Sequence, residues 1–168
     1  MGSYNYHKDE IIEWIKANFR QGQACLDVGA CDGKWANLLD GYLTMDAVEI
    51  FAPNIEKHSL KDKYRKVFNA DIYDLEYGHY DLIIFGDVIE HMTVERAQKC
   101  LGYAHERCSN MLIGVPYLYS QGELYGNPYE KHIQNDLTEK VFAERYPGYE
   151  LLWKKPNNEY AYYIKRSK

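Results

Sequence analysis

The stretch that most limits what this chain can fold into is Ala24-Cys25-Leu26-Asp27-Val28-Gly29-Ala30-Cys31-Asp32-Gly33-Lys34. A short apolar run, read as a buried strand, breaks into a turn holding Gly29 and Gly33. Beyond it Trp35, Leu38 and Leu39 recur at helical spacing. Strand, tight glycine loop and helix in that order place the loop at the carboxyl end of a strand in a parallel α/β sheet, where such sheets bind ligands.

Two nucleotide-binding loops are excluded by spacing. A dinucleotide loop needs G-x-G-x-x-G, and counting from Gly29 the next two required positions are Cys31 and Lys34. A phosphate-binding P-loop needs G-x-x-x-x-G-K-[ST], but Trp35 follows Gly33-Lys34, and Val28 stands where the first glycine belongs. What remains is D-x-G-x-x-x-G, with the acid on the strand itself. This resembles the first motif of the class I S-adenosylmethionine-dependent methyltransferases, whose usual pattern is D/E-x-G-x-G-x-G. Asp27, Gly29 and Gly33 match it, and Cys31 replaces the middle glycine. The resemblance implies that Asp27, Gly29, Ala30 and Gly33 surround the methionine end of the cofactor. That ligand carries an ammonium and a sulfonium and no phosphate, so a carboxylate suits it.

The downstream motifs fall in the matching order. Ala47-Val48-Glu49-Ile50-Phe51 reads as the second strand, with Pro53 opening a helix. Glu49, with Ile50 beside it, lies about 20 residues past the glycine loop, where doubly wound folds hold a ribose diol by an acid. Residues 66–72 read as the third strand and its loop. In the family an acid there meets the adenine amino group, which implies that role for Asp71, with Ile72 packed on the base. Tyr80-Asp81-Leu82-Ile83-Ile84-Phe85-Gly86 is the most apolar run and reads as a central strand buried on both faces. It leads into Asp87-Val88-Ile89-Glu90-His91, and YDLIIFGDVIEH resembles a segment common in the same family, which implies that Asp87 lies beside the transferable methyl group.

Spacing in that segment opens a second reading. If residues 87–91 are helical, Asp87, Glu90 and His91 share one face, as ligands of a divalent metal would. His132 would complete the set. The arrangement is similar to the metal-dependent branch of the family, which includes ubiquinone-pathway O-methyltransferases and small-RNA 2'-O-methyltransferases. The reading taken forward is metal-free, with His91 or His132 as a general base for the acceptor.

Elsewhere, Ile11, Ile12, Ile15 and Phe19 give a helix over 7–20. A short helix is expected over 34–40, a Thr93-capped helix over 93–107 and a fifth strand over 110–116. Asp136-Leu137-Thr138-Glu139 has capping-box spacing for a helix to Tyr146. Residues 149–154 and 159–165 alternate around Pro156-Asn157-Asn158 as a hairpin. The expected fold is a doubly wound, Rossmann-like α/β sheet of seven strands, mostly parallel with a C-terminal antiparallel hairpin and helices on both faces. It forms one domain over 1–168, with its core in 24–166. Residues 117–135 form a long loop on the ligand edge with Tyr117, Tyr119, Tyr125, Tyr129 and His132, the acceptor-side wall. Asn127-Pro128-Tyr129 looks like the N-P-P-Y signature of amino-methylating DNA enzymes, but it follows the wrong strand and lacks one proline.

A net charge of -5 argues against a general nucleic-acid surface, which needs clustered cations. No apolar run is long enough to span a bilayer, and residues 1–8 are polar, without a secretory apolar core. The four cysteines show no C-x-x-C pairing and are expected to be reduced thiols in the cytoplasm. The function expected is transfer of a methyl group from S-adenosylmethionine to a small-molecule hydroxyl or amine, a sugar or sugar nucleotide leading. The acceptor pocket is expected to be shallow, or to be completed by a second copy in a homo-oligomer, by a partner subunit or by a large substrate. A non-catalytic S-adenosylmethionine-binding subunit and a metal-dependent RNA 2'-O-methyltransferase remain as alternatives.

Overall fold

A computed structural model describes residues 5–157 and 159–166. Strands β1 (Ala24–Val28), β2 (Thr44–Val48), β3 (Lys66–Phe68), β4 (Tyr80–Gly86), β5 (Cys108–Pro116), β6 (Glu150–Lys154) and β7 (Tyr160–Arg166) form one sheet in the order β3-β2-β1-β4-β5-β7-β6. The pairs from β3 to β5 are parallel, and β7 runs antiparallel to both β5 and β6. This is the expected topology. The expected turn at 156–158 includes Asn158, which lies outside the described residues, as do residues 1–4.

Period-two alternation sorts the strand side chains onto two faces. Leu26, Val28, Ile83, Phe85, Met111 and Ile113 face helices α5 (Val94–His105) and α6 (Glu139–Arg145), meeting Ala97, Cys100, Leu101, Ala104, Phe142 and Tyr146. Cys25, Met45, Ala47, Leu82, Ile84 and Leu112 face the other side. There they meet Ile11 and Ile15 of α1 (Lys8–Asn18), Trp35 and Ala36 of α2 (Lys34–Leu38), Ile55 of α3 (Ala52–Lys57) and Leu60 of α4 (Leu60–Lys63). Burial on both faces is why β4 and β5 read as nearly continuous apolar runs.

Three elements differ from the sequence reading. Strand β2 occupies Thr44–Val48 rather than 47–51, because it pairs in register with β1 from Ala24↔Thr44 to Val28↔Val48. The early part was hidden by Asp46, a buried carboxylate that pays for its place with a bidentate bond from Arg65 at 2.9 and 2.7 Å and a third from the Tyr80 hydroxyl at 2.8 Å. Residues 87–91 are not a helix. Asp87 has φ +57°, and only Ile89–His91 forms a 3-10 turn. The cap of α6 is Thr138, whose hydroxyl accepts the Val141 N–H at 3.1 Å, while Asp136 pairs with Arg145.

Many buried positions hold tyrosine, an apolar ring with a hydroxyl that must find a partner. Tyr117 and Tyr163 bond each other, Tyr146 donates to Gln134 at 2.8 Å, and Tyr162 accepts from the buried Lys8 ammonium at 2.9 Å. All four cysteines are free thiols. No helix among the described residues is long and apolar enough to cross a membrane.

Candidate active site

The tips of β1, β2 and β4 and the loop after β3 open into one cavity of about 340 Å³. Its lining includes Gly29 and Cys31 after β1, Glu49 and Ile50 after β2, Asp71 after β3, and Gly86, Asp87, Val88 and His91 after β4. The parallel sheet places these residues together because its strands all end on the same edge. Gly29 is required there. Its φ is +71°, and a Cβ would lie 2.7 Å from Val88 Cγ2, so the β1 and β4 tips approach as closely as they do only through glycine.

Glu49 is fixed before any ligand arrives. It is 4% exposed; Oε1 accepts the Phe51 N–H and Oε2 the Cys31 N–H, each at 2.8 Å. The Cys31 bond ties the glycine loop to the β2 tip and holds Cys31 at φ +47°, the left-handed region where the middle glycine of the related motif would be comfortable. Burial raises the Glu49 carboxyl, and the two backbone donors oppose that shift. Asp71 also reaches the cavity oriented: Oδ1 accepts the Tyr73 N–H at 2.9 Å and Oδ2 pairs with Arg96 at 2.6 Å.

Of the expected cofactor residues, Gly29, Glu49, Ile50, Asp71 and Asp87 line the cavity, and Asp27, Ala30, Gly33 and Ile72 do not. Asp27 is buried behind the loop, accepting the Tyr64 hydroxyl at 2.5 Å; burial pushes its carboxyl up to about 7 against the pull of that bond. Ala30 and Ile72 are core residues on opposite faces of the sheet. Gly33 starts α2 at φ +76°, where a Cβ would strike Lys63 Cδ at 2.7 Å. These four therefore shape the loop and the core under it. The spacing that singled them out is equally the spacing of a strand-loop-helix turn.

The loop after β5 is stitched onto the β4–α5 connection. Ile133 and Gln134 donate their N–H groups to the Glu90 carbonyl at 2.8 and 2.9 Å, and the Gln134 amide donates to the Ile89 carbonyl at 2.8 Å. This seats His132 against His91, ring centroids 4.7 Å apart and edge to face. His91 lines the cavity; His132 is buried behind it. Burial, then the neighbouring His132, lowers His91 to about 4, and burial also lowers His132. Both rings are neutral at pH 7. Glu90 is fully buried, its carboxyl pushed well up by burial and by the Asp87 charge.

The loop tyrosines divide. Tyr129, with Asn127, Glu130 and Ile133, walls the cavity. Tyr125 borders an adjoining depression shared by Phe51, Lys57 and His58. Tyr119 backs His132, accepting from its ring through the main-chain carbonyl at 2.9 Å, and Tyr117 lies in the core. Sequence reading did not single out Asn54, Met92 or Arg96, which also line the cavity. Arg96 had a signal, since it follows Thr93 on the first turn of a helix opening at the ligand edge.

No protein-family model matches the sequence, and no curated protein matches it. Solved structures do. An S-adenosylmethionine-dependent methyltransferase from Clostridium acetobutylicum ATCC 824 superposes with a TM-score of 0.72 at 14% identity, covering 94% of this chain and 89% of that one. Magnesium protoporphyrin IX methyltransferase from Synechocystis PCC 6803, with SAH bound, gives 0.67 at 15% identity over 95% and 81%. The 1,6-didemethyltoxoflavin-N1-methyltransferase of Burkholderia thailandensis, with 1,6-didemethyltoxoflavin and S-adenosylhomocysteine bound, gives 0.67 at 17% identity over 95% and 77%. The chain has the fold of the S-adenosylmethionine-dependent methyltransferases.

Proposed function

We propose that this chain is an S-adenosylmethionine-dependent methyltransferase acting on a small-molecule hydroxyl or amine. One observation carries the reading. Glu49, anchored through both oxygens, faces the same cavity as Gly29, Asp71 and Asp87 on a sheet of methyltransferase topology. The solved structures with SAM or SAH bound share that fold.

In this reading Glu49 accepts from the ribose diol, Ile50 packs beside the adenine, and Asp71 accepts from the adenine amino group. Asp87 faces the sulfonium. The cofactor supplies an electrophilic methyl carbon: the acceptor lone pair forms the new bond as the carbon–sulfur bond breaks, releasing S-adenosylhomocysteine. The enzyme's main contribution is to hold the two reactants in line. Tyr129 and Ile133 form the acceptor wall, and His91, neutral and at the cavity surface, takes the acceptor proton. A sugar hydroxyl suits a wall carrying tyrosine, asparagine and a carboxylate. Calorimetry with S-adenosylhomocysteine tests the proposal: saturable one-to-one binding is expected, and absence of binding by folded protein refutes it.

A further inference from the structure

We propose that the buried ammonium of Lys8 makes cofactor binding sensitive to the charge on sulfur: S-adenosylmethionine, a sulfonium, displaces the Lys8 proton to solvent, and S-adenosylhomocysteine, a neutral sulfide, does not. The inference rests on the proposed cofactor site and concerns a residue that the proposed transfer does not use.

Lys8 is the first residue of α1, yet it is 4% exposed. A lysine is almost never buried so fully without a paired carboxylate. Here Nζ donates to the Tyr162 hydroxyl at 2.9 Å and lies 3.8 Å from the centre of the Trp35 ring, and it forms no ion pair among the described residues. The Tyr162 hydroxyl spends its own proton on the Tyr6 carbonyl at 3.0 Å, so its oxygen is turned to accept from Lys8. A neutral hydroxyl and a ring face hold an ammonium less firmly than a carboxylate in contact would.

The strongest charge acting on Lys8 belongs to the cavity. Burial lowers Lys8 to about 7; Asp87 opposes that fall most, Asp27 and Asp32 also oppose it, and Lys34 adds to it. Asp87 lines the cavity, and strand β7 links it to Lys8. The Asp87 N–H donates to the Gly114 carbonyl at 3.0 Å, and the Tyr160 hydroxyl covers Gly114 so closely that a Cβ there would lie 2.6 Å from it. The Tyr160 ring meets Tyr162 edge to face, centroids 5.2 Å apart. Asp87 and Lys8 therefore flank one buried tyrosine pair, where charges are weakly screened.

At neutral pH S-adenosylmethionine carries a sulfonium, an ammonium and a carboxylate, one net positive charge. S-adenosylhomocysteine keeps only the last two and is neutral overall. A sulfonium against Asp87 gives that carboxylate a second cation, so Lys8 loses its main electrostatic support and gains a repulsive neighbour. An N–H bond of Lys8 breaks, the electron pair stays on Nζ, and the proton goes to solvent. The sulfide product exerts no such repulsion and leaves Lys8 as it was. By linkage, protons and S-adenosylmethionine then compete, so acid weakens substrate binding relative to product.

The test is calorimetry of both compounds at pH 6, 7 and 8, each in two buffers of different ionisation heat so that released protons are counted. With Lys8 at about 7, complete displacement raises the affinity for S-adenosylmethionine relative to S-adenosylhomocysteine about tenfold from pH 6 to pH 8, and releases about half a proton more at pH 7. Lys8→Met is expected to flatten that ratio. Asp27, pushed up to about 7 by burial, is the other nearby group that titrates in this range. A ratio that still rises with pH in folded Lys8→Met assigns the proton elsewhere and overturns the proposal. Tyr162→Phe removes the oxygen that accepts from Lys8, so the midpoint of the rise is expected at lower pH; it remains informative if Lys8→Met fails to fold, and an unmoved midpoint overturns the proposal. A change below threefold in the parent, with both compounds bound, overturns the charge coupling and leaves the methyltransferase reading standing. No saturable binding of either compound by folded protein refutes that reading and this inference with it.

Discussion

Glu49→Gln is the most informative single substitution. The glutamine keeps the shape of the side chain but not its charge, and an amide NH₂ replaces one oxygen. Both glutamate oxygens accept backbone N–H groups at 2.8 Å, from Cys31 and Phe51, so the new NH₂ must face one of those donors or turn toward the ligand. Either way one acceptor is lost. The remaining lone pairs would receive the ribose hydroxyls, and a hydrogen bond to a charged group is worth roughly 1.5–3 kcal/mol. Losing the charge weakens both bonds and losing an acceptor removes one, so a loss of about 2–4 kcal/mol is expected, roughly 30- to 1000-fold in Kd. The backbone N–H left without an acceptor costs about 1–3 kcal/mol, offset in part because neutralising a side chain that is 4% exposed removes a desolvation cost, so the variant should still melt in one cooperative transition. Calorimetry with S-adenosylhomocysteine reads the affinity, and thermal melting reads the fold. Affinity within threefold of the parent, in protein that melts normally, would refute the assignment of Glu49 to the ribose.

Three other expectations follow from the geometry. Gly29→Ala forces an alanine to φ +71° and sets its Cβ 2.7 Å from Val88 Cγ2. A loss of about 2–4 kcal/mol is expected, seen as a fall in Tm on the order of 5–15 °C; an unchanged melt would show that the two strand tips can part freely. Lys8, buried over the Trp35 ring at 3.8 Å, is lowered from 10.5 to about 7, chiefly by burial and against the pull of Asp87. Above pH 7 the folded chain sheds this proton and the unfolded chain keeps it, so stability gains roughly 1.4 kcal/mol per pH unit from this residue over pH 7–9. Lys8→Met should remove that rise, as urea titrations of parent and variant at each pH will show; parallel curves would contradict the buried-ammonium account. Arg96→Met breaks the half-exposed pair with Asp71, and such pairs contribute less than about 1 kcal/mol. Its Tm should barely move while S-adenosylhomocysteine affinity shifts through the freed Asp71, and identical binding would place Asp71 away from the ligand.

Local features of the sequence determined the order of strands and the loop that opens the site. A buried run ending in Gly29, an acid at Glu49 and the apolar stretch Tyr80–Gly86 carry their meaning in nearest-neighbour pattern, because strand periodicity and tight turns are set by adjacent residues. The same local view misplaced β2, since it could not know that Arg65 and Tyr80 would neutralise Asp46 from other strands. It also could not separate residues that line the cavity from those that shape the turn. Asp27 and Asp71 look equivalent as acids after strands, yet Tyr64 claims the first inside the core while the second opens to the cavity. Sequence reading offered His132 as a companion to Glu90 and His91, but only tertiary structure decided that the three meet. That contact depends on where a long loop closes, and its closure is fixed by backbone bonds to the Glu90 carbonyl that leave no mark on the spacing of side chains.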